Sequence, residues 1–306
     1  MTKNTYFSHG KLLLSGEFLV LEGATALAIP LKYGQHLRIT KAHDPKTLHW
    51  LSKYKSKKWF EARYDIRELE MLETTDQDRG RFIQKLLIKA INDNHQFINK
   101  LEGKKVTTNL DFDPDWGWGS SSTLISNIAY WSEVNPFDLF FETQEGSGYD
   151  IACARATTPI LYGMNVSSPF IKEVKLKKLI TPYLYFVYLG HKQNTADGIR
   201  SYRQSRIFDK FDVQSISEIT LDMLKSTEIQ DFNMLVKEHE RIIARVIHKK
   251  PIKEEYFNDF PGSVKSLGTW GGDFIMMTHE GEKEELQKYL KTKKLDTVFS
   301  YSEIAL

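Results

Sequence analysis

The run Asp115-Trp116-Gly117-Trp118-Gly119-Ser120-Ser121-Ser122-Thr123 constrains this chain more than any other stretch. Two glycines at alternate positions let the backbone turn tightly and approach a ligand closely. The hydroxyl residues after them supply a natural helix cap. Leu124, Ile125, Ile128, Ala129 and Trp131 then fall on one helical face, while Val106, Thr108, Leu110 and Phe112 alternate as a half-buried strand does. Strand, glycine loop, hydroxyl cluster and helix start together make an anion site, because free N–H groups and the positive end of the helix dipole converge there. Phosphate is the expected anion, with a magnesium ion within reach of the hydroxyls. The plain alternative is a turn that only caps a helix. No Gly-Lys-Ser/Thr follows and the third glycine of a dinucleotide fingerprint is missing, so neither familiar phosphate motif applies.

Other stretches carry chemistry less openly. Residues 11–31 hold two short apolar runs broken at Ser15-Gly16-Glu17 and Glu22-Gly23, which predicts strands joined by tight turns. Lys11 and Glu17 are charges in apolar surroundings and must be paired or used; a mutual ion pair or exposure at strand ends is the structural alternative. Asp150 follows Gly146-Ser147-Gly148 at the head of an apolar segment, where it either caps a helix or serves as a carboxylate held on a rigid turn. Lys265 to Asp273 is a glycine-rich loop leading into the strand-like Phe274–Met277.

Helices are expected near 79–98, 137–145, 195–206, 215–225, 231–248 and 282–291, and strands near 35–42, 59–63, 105–112, 159–164, 171–175, 183–189, 274–277 and 298–301. Lys53 to Lys58 reads as a solvated hairpin. His239 lies in an apolar helical stripe and is given no role. A chain of 306 residues fits one large domain or two modest ones. Its net charge of +2 argues for neither a nucleic-acid nor a membrane partner. Cys153 is the single cysteine, which excludes an internal disulfide framework, and no apolar run is long enough for a signal or membrane segment. These point to a cytoplasmic protein.

Taken in order, the three loops resemble the motifs of the GHMP superfamily of small-molecule kinases (galactokinase, homoserine kinase, mevalonate kinase, phosphomevalonate kinase). The first is Gly10-Lys11-Leu12-Leu13-Leu14-Ser15-Gly16-Glu17, the second Gly117-Trp118-Gly119-Ser120-Ser121-Ser122, and the third Gly268 to Asp273. Their order and spacing match along nearly the whole chain. Gly146-Ser147-Gly148-Tyr149-Asp150-Ile151-Ala152, together with Lys265 and Gly271-Gly272-Asp273, is most similar to the phosphomevalonate kinases. Phe18 stands where mevalonate kinases carry a histidine, and tryptophans 116, 118 and 270 stand where the family has smaller residues.

The resemblance implies an α+β, two-domain GHMP-kinase fold. An N-terminal ribosomal-protein-S5-like domain (residues 1–165) would hold the nucleotide, and a ferredoxin-like C-terminal domain (166–306) would contribute the third motif, with the site between them. It implies ATP-dependent phosphoryl transfer to phosphomevalonate or, alternatively, mevalonate, with ATP and Mg2+ as cofactors. Other fold members (diphosphomevalonate decarboxylase, a sugar kinase) and a non-catalytic metabolite-binding protein are the remaining readings. Asp150 and Lys11 carry over as catalytic residues. Gly117, Gly119, Ser120, Ser121 and Ser122 carry over as the phosphate loop, and Ser121 as the magnesium ligand. Glu17, Ser147, Gly148, Lys192, Thr195, Gly268, Gly271 and Gly272 carry over as substrate contacts. A small-molecule substrate and a monomer or homodimer are implied.

Overall fold

A computed structural model describes residues 4–164, 168–191, 195–205, 207–270 and 273–306. Its strands are β1 (Thr5–Ser15), β2 (Ala26–Lys41), β3 (Thr47–Tyr54), β4 (Lys57–Asp65), β5 (Met71–Thr74), β6 (Lys104–Leu110), β7 (Ile160–Met164), β8 (Pro169–Glu173), β9 (Leu184–Tyr188), β10 (Val264–Ser266), β11 (Phe274–Thr278) and β12 (Val298–Ser300). The protein is mixed α+β and forms two compact units. Unit one comprises residues 1–10, 33–114 and 118–155; unit two comprises 11–32, 115–117 and 156–306. Among the described residues no helix is long and apolar enough to cross a membrane.

In unit one, the second half of β2 runs antiparallel to β6, β6 runs parallel to β3, and β3, β4 and β5 continue antiparallel. Every second residue of the central strands faces inward: Leu48 and Trp50 on β3, Phe60, Ala62 and Tyr64 on β4. Helices Gln77–Asp93, Ser120–Ser132 and Pro136–Thr143 close over that face with Leu86, Leu87, Ile125, Ile128 and Leu139. The basic cluster at 53–58 is the turn of the β3–β4 hairpin, with Lys55 and Ser56 both at positive φ as a tight two-residue turn demands.

In unit two, the start of β2 pairs antiparallel with β7, which pairs with β8. A separate antiparallel sheet has the order β10-β11-β9-β12. Tyr185, Val187, Ile275 and Met277 on one of its faces form a core with Ile252, Phe257, Leu286 and Leu290.

Two expectations from local pattern are corrected. The apolar run after Glu17 forms a single 3-10 turn, Leu19–Glu22, closed by Gly23 at φ 98°, and no strand. The lysine that opens the third loop lies on β10, in register with Met276. Three strand residues are too short a run to register as periodicity.

Candidate active site

The glycine loop turns sharply into the helix that follows it. Gly117 and Gly119 have φ of 66° and 88°, conformations that side chains disfavour. Gly119 caps the helix Ser120–Ser132, whose first-turn amides have no acceptor within the helix. Trp118 does not crowd the loop. It is fully buried in unit one, 5.6 Å from the ring of Tyr33 and 5.8 Å from that of Phe112.

The helix is fastened by polar groups in its own buried face. Thr123 donates to Gln35 Oε1 at 3.0 Å, Asn127 Nδ2 to the Gln35 carbonyl at 2.8 Å, and Ser8 to Asn127 Oδ1 at 2.8 Å. The Ser122 hydroxyl donates back to the Gly119 carbonyl at 2.9 Å, and so braces the turn. Ser121 is the exposed hydroxyl of the three. Asp150 lies in the same unit, half-buried in the first turn of Tyr149–Cys153, a short helix packed against Ser120–Ser132. Gly148 caps it at φ 83°, and both Ser147 and Gly148 are buried. Glu142 ion-pairs with Lys89 at 2.7 Å.

Unit two gathers the first and third motifs. Lys11 is half-buried on β1. The strand ends at Gly16, φ 96°, where an added Cβ would lie 2.7 Å from the Ala26 side chain, so this turn accepts glycine alone. Glu17, expected among the substrate contacts, is inside the core: its side chain has no exposed surface, and Lys265, equally enclosed, closes on it. His239 Nε2 accepts the Gly16 N–H at 3.1 Å and lies 3.2 Å from Glu17 Oε2. Glu240 accepts the Ser266 N–H at 2.9 Å.

Burial pushes the carboxyl groups of this cluster upward, that of Glu240 to about 8, against the pull of Lys265. Desolvation, with Lys265 beside it, holds the His239 imidazole well below its ordinary value. Lys265 and Glu17 thus meet at close range beside a His239 imidazole held toward its neutral form and a Glu240 carboxyl held toward its protonated form. From sequence His239 was given no role and Glu240 was not singled out. Their only signal was a titratable pair flanked by Val236, Ile242 and Ile243 on an apolar helix face.

The third loop leaves β10 through Gly268, φ 64°, and Trp270, which is buried at φ 54°. Asp273 lies against the glycine loop: a Cβ on Gly117 would fall 2.2 Å from Asp273 Oδ2. Trp116 packs beside it on Phe299 (5.3 Å between ring centroids) and Phe274 (6.1 Å). Lys192, Gly271 and Gly272 lie outside the described residues, as does the side chain of Thr195, which opens the helix Thr195–Ser205. Among the described residues, no group of three or more His, Cys, Asp or Glu could hold a metal by itself.

No family model matches the sequence, and no curated protein sequence matches it. Solved structures do match in fold over nearly the whole chain. The phosphomevalonate kinase of Streptococcus pneumoniae, in complex with phosphomevalonate and AMPPNP, superposes with a TM-score of 0.72 at 15% identity, covering 97% of this chain and 100% of that one. The mevalonate kinase of Methanococcus jannaschii gives 0.69 at 13% identity over 99% and 98% of the two chains. The galactokinase of Lactococcus lactis, complexed with galactose, gives 0.66 at 10% identity over 98% and 93%. The chain has the two-domain fold of the GHMP small-molecule kinases. Mevalonate and phosphomevalonate kinases are prominent among the structures that share it.

Proposed function

We propose that this protein is an ATP-dependent kinase of a small isoprenoid precursor, with phosphomevalonate the first acceptor to test and mevalonate the second. The observation that carries the reading is the Gly119-capped helix, with Ser121 exposed in its first turn and the Asp150 helix packed against it. The fold likeness to kinases crystallised with phosphomevalonate and with mevalonate supports both acceptors. Fold alone does not choose between them.

Phosphoryl transfer needs positioning and charge neutralisation more than covalent chemistry. The amides of Ser120, Ser121 and Ser122 and the helix dipole would hold the ATP phosphates, with Gly117 and Gly119 giving the backbone its close approach. Ser121 would complete the magnesium shell, and the ion, when bound, neutralises charge on the phosphate oxygens. Asp150 is assigned to orient the acceptor oxygen and take up its proton where it has one. Lys11 is assigned to stabilise negative charge on the acceptor and the transferred group. With a phosphate acceptor, already largely ionised near neutral pH, Lys11 matters at least as much as Asp150. Ser147, Gly148, Lys192, Thr195, Gly268, Gly271 and Gly272 remain the proposed acceptor contacts. Glu17 becomes a positioning residue that acts through Lys265. The division of labour between residues 1–165 and 166–306, and a cytoplasmic location, belong to the same proposal.

The test is coupled ADP release with ATP and magnesium on mevalonate, phosphomevalonate, galactose and homoserine. Turnover on phosphomevalonate supports the first acceptor, and turnover on mevalonate alone moves the assignment to the second. A folded protein that binds ATP and turns over none of the four overturns the isoprenoid reading.

A further inference from the structure

Strand alternation sorts the four-stranded sheet of unit two into two faces. Tyr188 and Phe274 point toward Trp116, and Lys265, one strand over, points the same way toward Glu17. The neighbouring residues Val187, Ile275 and Ser266 belong to the opposite face, which carries the Ile252–Phe257 core. At the end of that second face, beside Leu189 and Ser266, lies a cavity of about 650 Å³. That volume falls within the range of small-molecule sites, roughly 300–1,000 Å³.

The lining is amphipathic. Leu189, Phe257 and Leu295 offer apolar surface, while Lys249, Lys250 and Lys293 bring three ammonium groups against the single carboxylate of Glu255. Lys249 also reaches the Trp270 carbonyl at 3.3 Å, and Lys293 ion-pairs with Asp259 at 3.0 Å. Lys250 is exposed and makes neither kind of contact among the described residues. Trp270 also lines the cavity, and its state is unusual for a tryptophan. It is 2% exposed, sits at positive φ, and its indole N–H has no acceptor among the described residues. A strained backbone and an unsatisfied buried donor both cost stability, and they concentrate where a ligand completes the structure.

We infer that this cavity binds a small amphipathic organic phosphate, with its apolar body on Leu189, Phe257 and Leu295 and its headgroup at Lys250 and Lys249. The site is separate from the Gly117–Gly119 loop, borders the third glycine loop through Trp270, and does not depend on the kinase reading. A dianionic head balances the surplus of ammonium groups, and lysine suits it as a mobile point charge.

Octyl phosphate, titrated below its micellar concentration into the full chain by calorimetry and by tryptophan fluorescence, is the probe. One molecule per chain should bind saturably and change an emission component that Trp270→Phe removes. Lys250→Glu and the cavity-filling Leu295→Trp should each weaken binding by at least about tenfold, as should replacing the probe with inorganic phosphate or 1-octanol. AMPPNP with magnesium should not displace it. Absence of saturable binding to the folded wild type, equal affinity in Lys250→Glu and Leu295→Trp, or mutual exclusion with AMPPNP would each overturn the assignment. Should Trp270→Phe fail to fold, the calorimetry on the other two variants decides.

Discussion

Lys265 and Glu17 are 248 residues apart in sequence, yet their charges meet in the core of unit two with no exposed surface on either side chain. The pair joins the turn after the Lys11 strand to the strand that delivers the third glycine loop. His239 and Glu240 extend the connection by holding the Gly16 and Ser266 amides. Burying two charges is expensive, and a half-removed pair is worse than either the intact pair or none.

Lys265→Met therefore leaves an uncompensated carboxylate, and chemical denaturation should show a loss of about 3–5 kcal/mol. Adding Glu17→Gln to it should restore part of that loss. A double variant no more stable than Lys265→Met would mean that the pair is not the source of the effect.

Stability should also depend on pH in a way that separates two neighbours. In the folded chain the Glu240 carboxyl is raised from 4.5 to about 8, chiefly by burial. Between those values the folded state holds a proton that the unfolded chain has released, so this stabilisation is full below the lower value and lost as pH rises through about 8. Glu17 is shifted in the same direction, with Lys265 opposing. His239 is held well below 6.5, so below that pH the unfolded chain gains a proton that the folded one refuses, and stability falls on acidification. From about pH 6.5 to 8 the raised carboxyls act without the histidine, each with a slope of at most about 1.4 kcal/mol per pH unit. Stability across that interval should decline in the wild type and decline less steeply in Glu240→Gln. An unchanged slope would place the proton elsewhere.

Asp150→Asn and Lys11→Met should each lower turnover well over about tenfold while leaving the thermal transition in place, because both act on developing charge in the proposed transfer. With a phosphate acceptor the lysine variant should be the more severe. Wild-type turnover in folded Asp150→Asn would remove that carboxylate from the mechanism.

Gly117→Ala places a methyl group 2.2 Å from Asp273 Oδ2 at a φ of 66°. Both the clash and the backbone strain, about 1–3 kcal/mol for the latter, oppose the native loop. The expected result is weaker ATP binding, read by calorimetry, together with modest destabilisation. Unaltered ATP affinity would show that the Gly117–Asp273 approach is dispensable for the loop.

The helix Ser120–Ser132, the hairpin at 53–58 and the long helix Ile229–Val246 were legible because each repeats one period over many residues or carries a turn signature. The short β10 and the 3-10 turn after Glu17 were not, since three or four residues hold no period. Lys11 and Glu17 were both recognised as charges needing a use. The partner of Glu17 proved to be distant Lys265, a fact of tertiary packing that no local pattern encodes. Trp118 stands where the resembled family has a smaller residue, and in the fold it is a core residue against Tyr33 and Phe112. Direction of a side chain is decided by the backbone twist of the glycines around it, and sequence alone gives no such direction.

The bonds from Thr123 and Asn127 to Gln35 bear on kinetics as well as on shape. A cradle whose first helical turn is already tethered to a β-strand has few rotors left to freeze when an anion arrives. Capture should then be governed by diffusion and by the field of the amides, with a small heat-capacity change and little dependence on viscosity beyond that of encounter. Gln35→Ala removes the Thr123 bond and, combined with Asn127→Ala, the second bond as well; the same loop would then have to organise around its ligand, and the association rate, more than the escape rate, would record the difference.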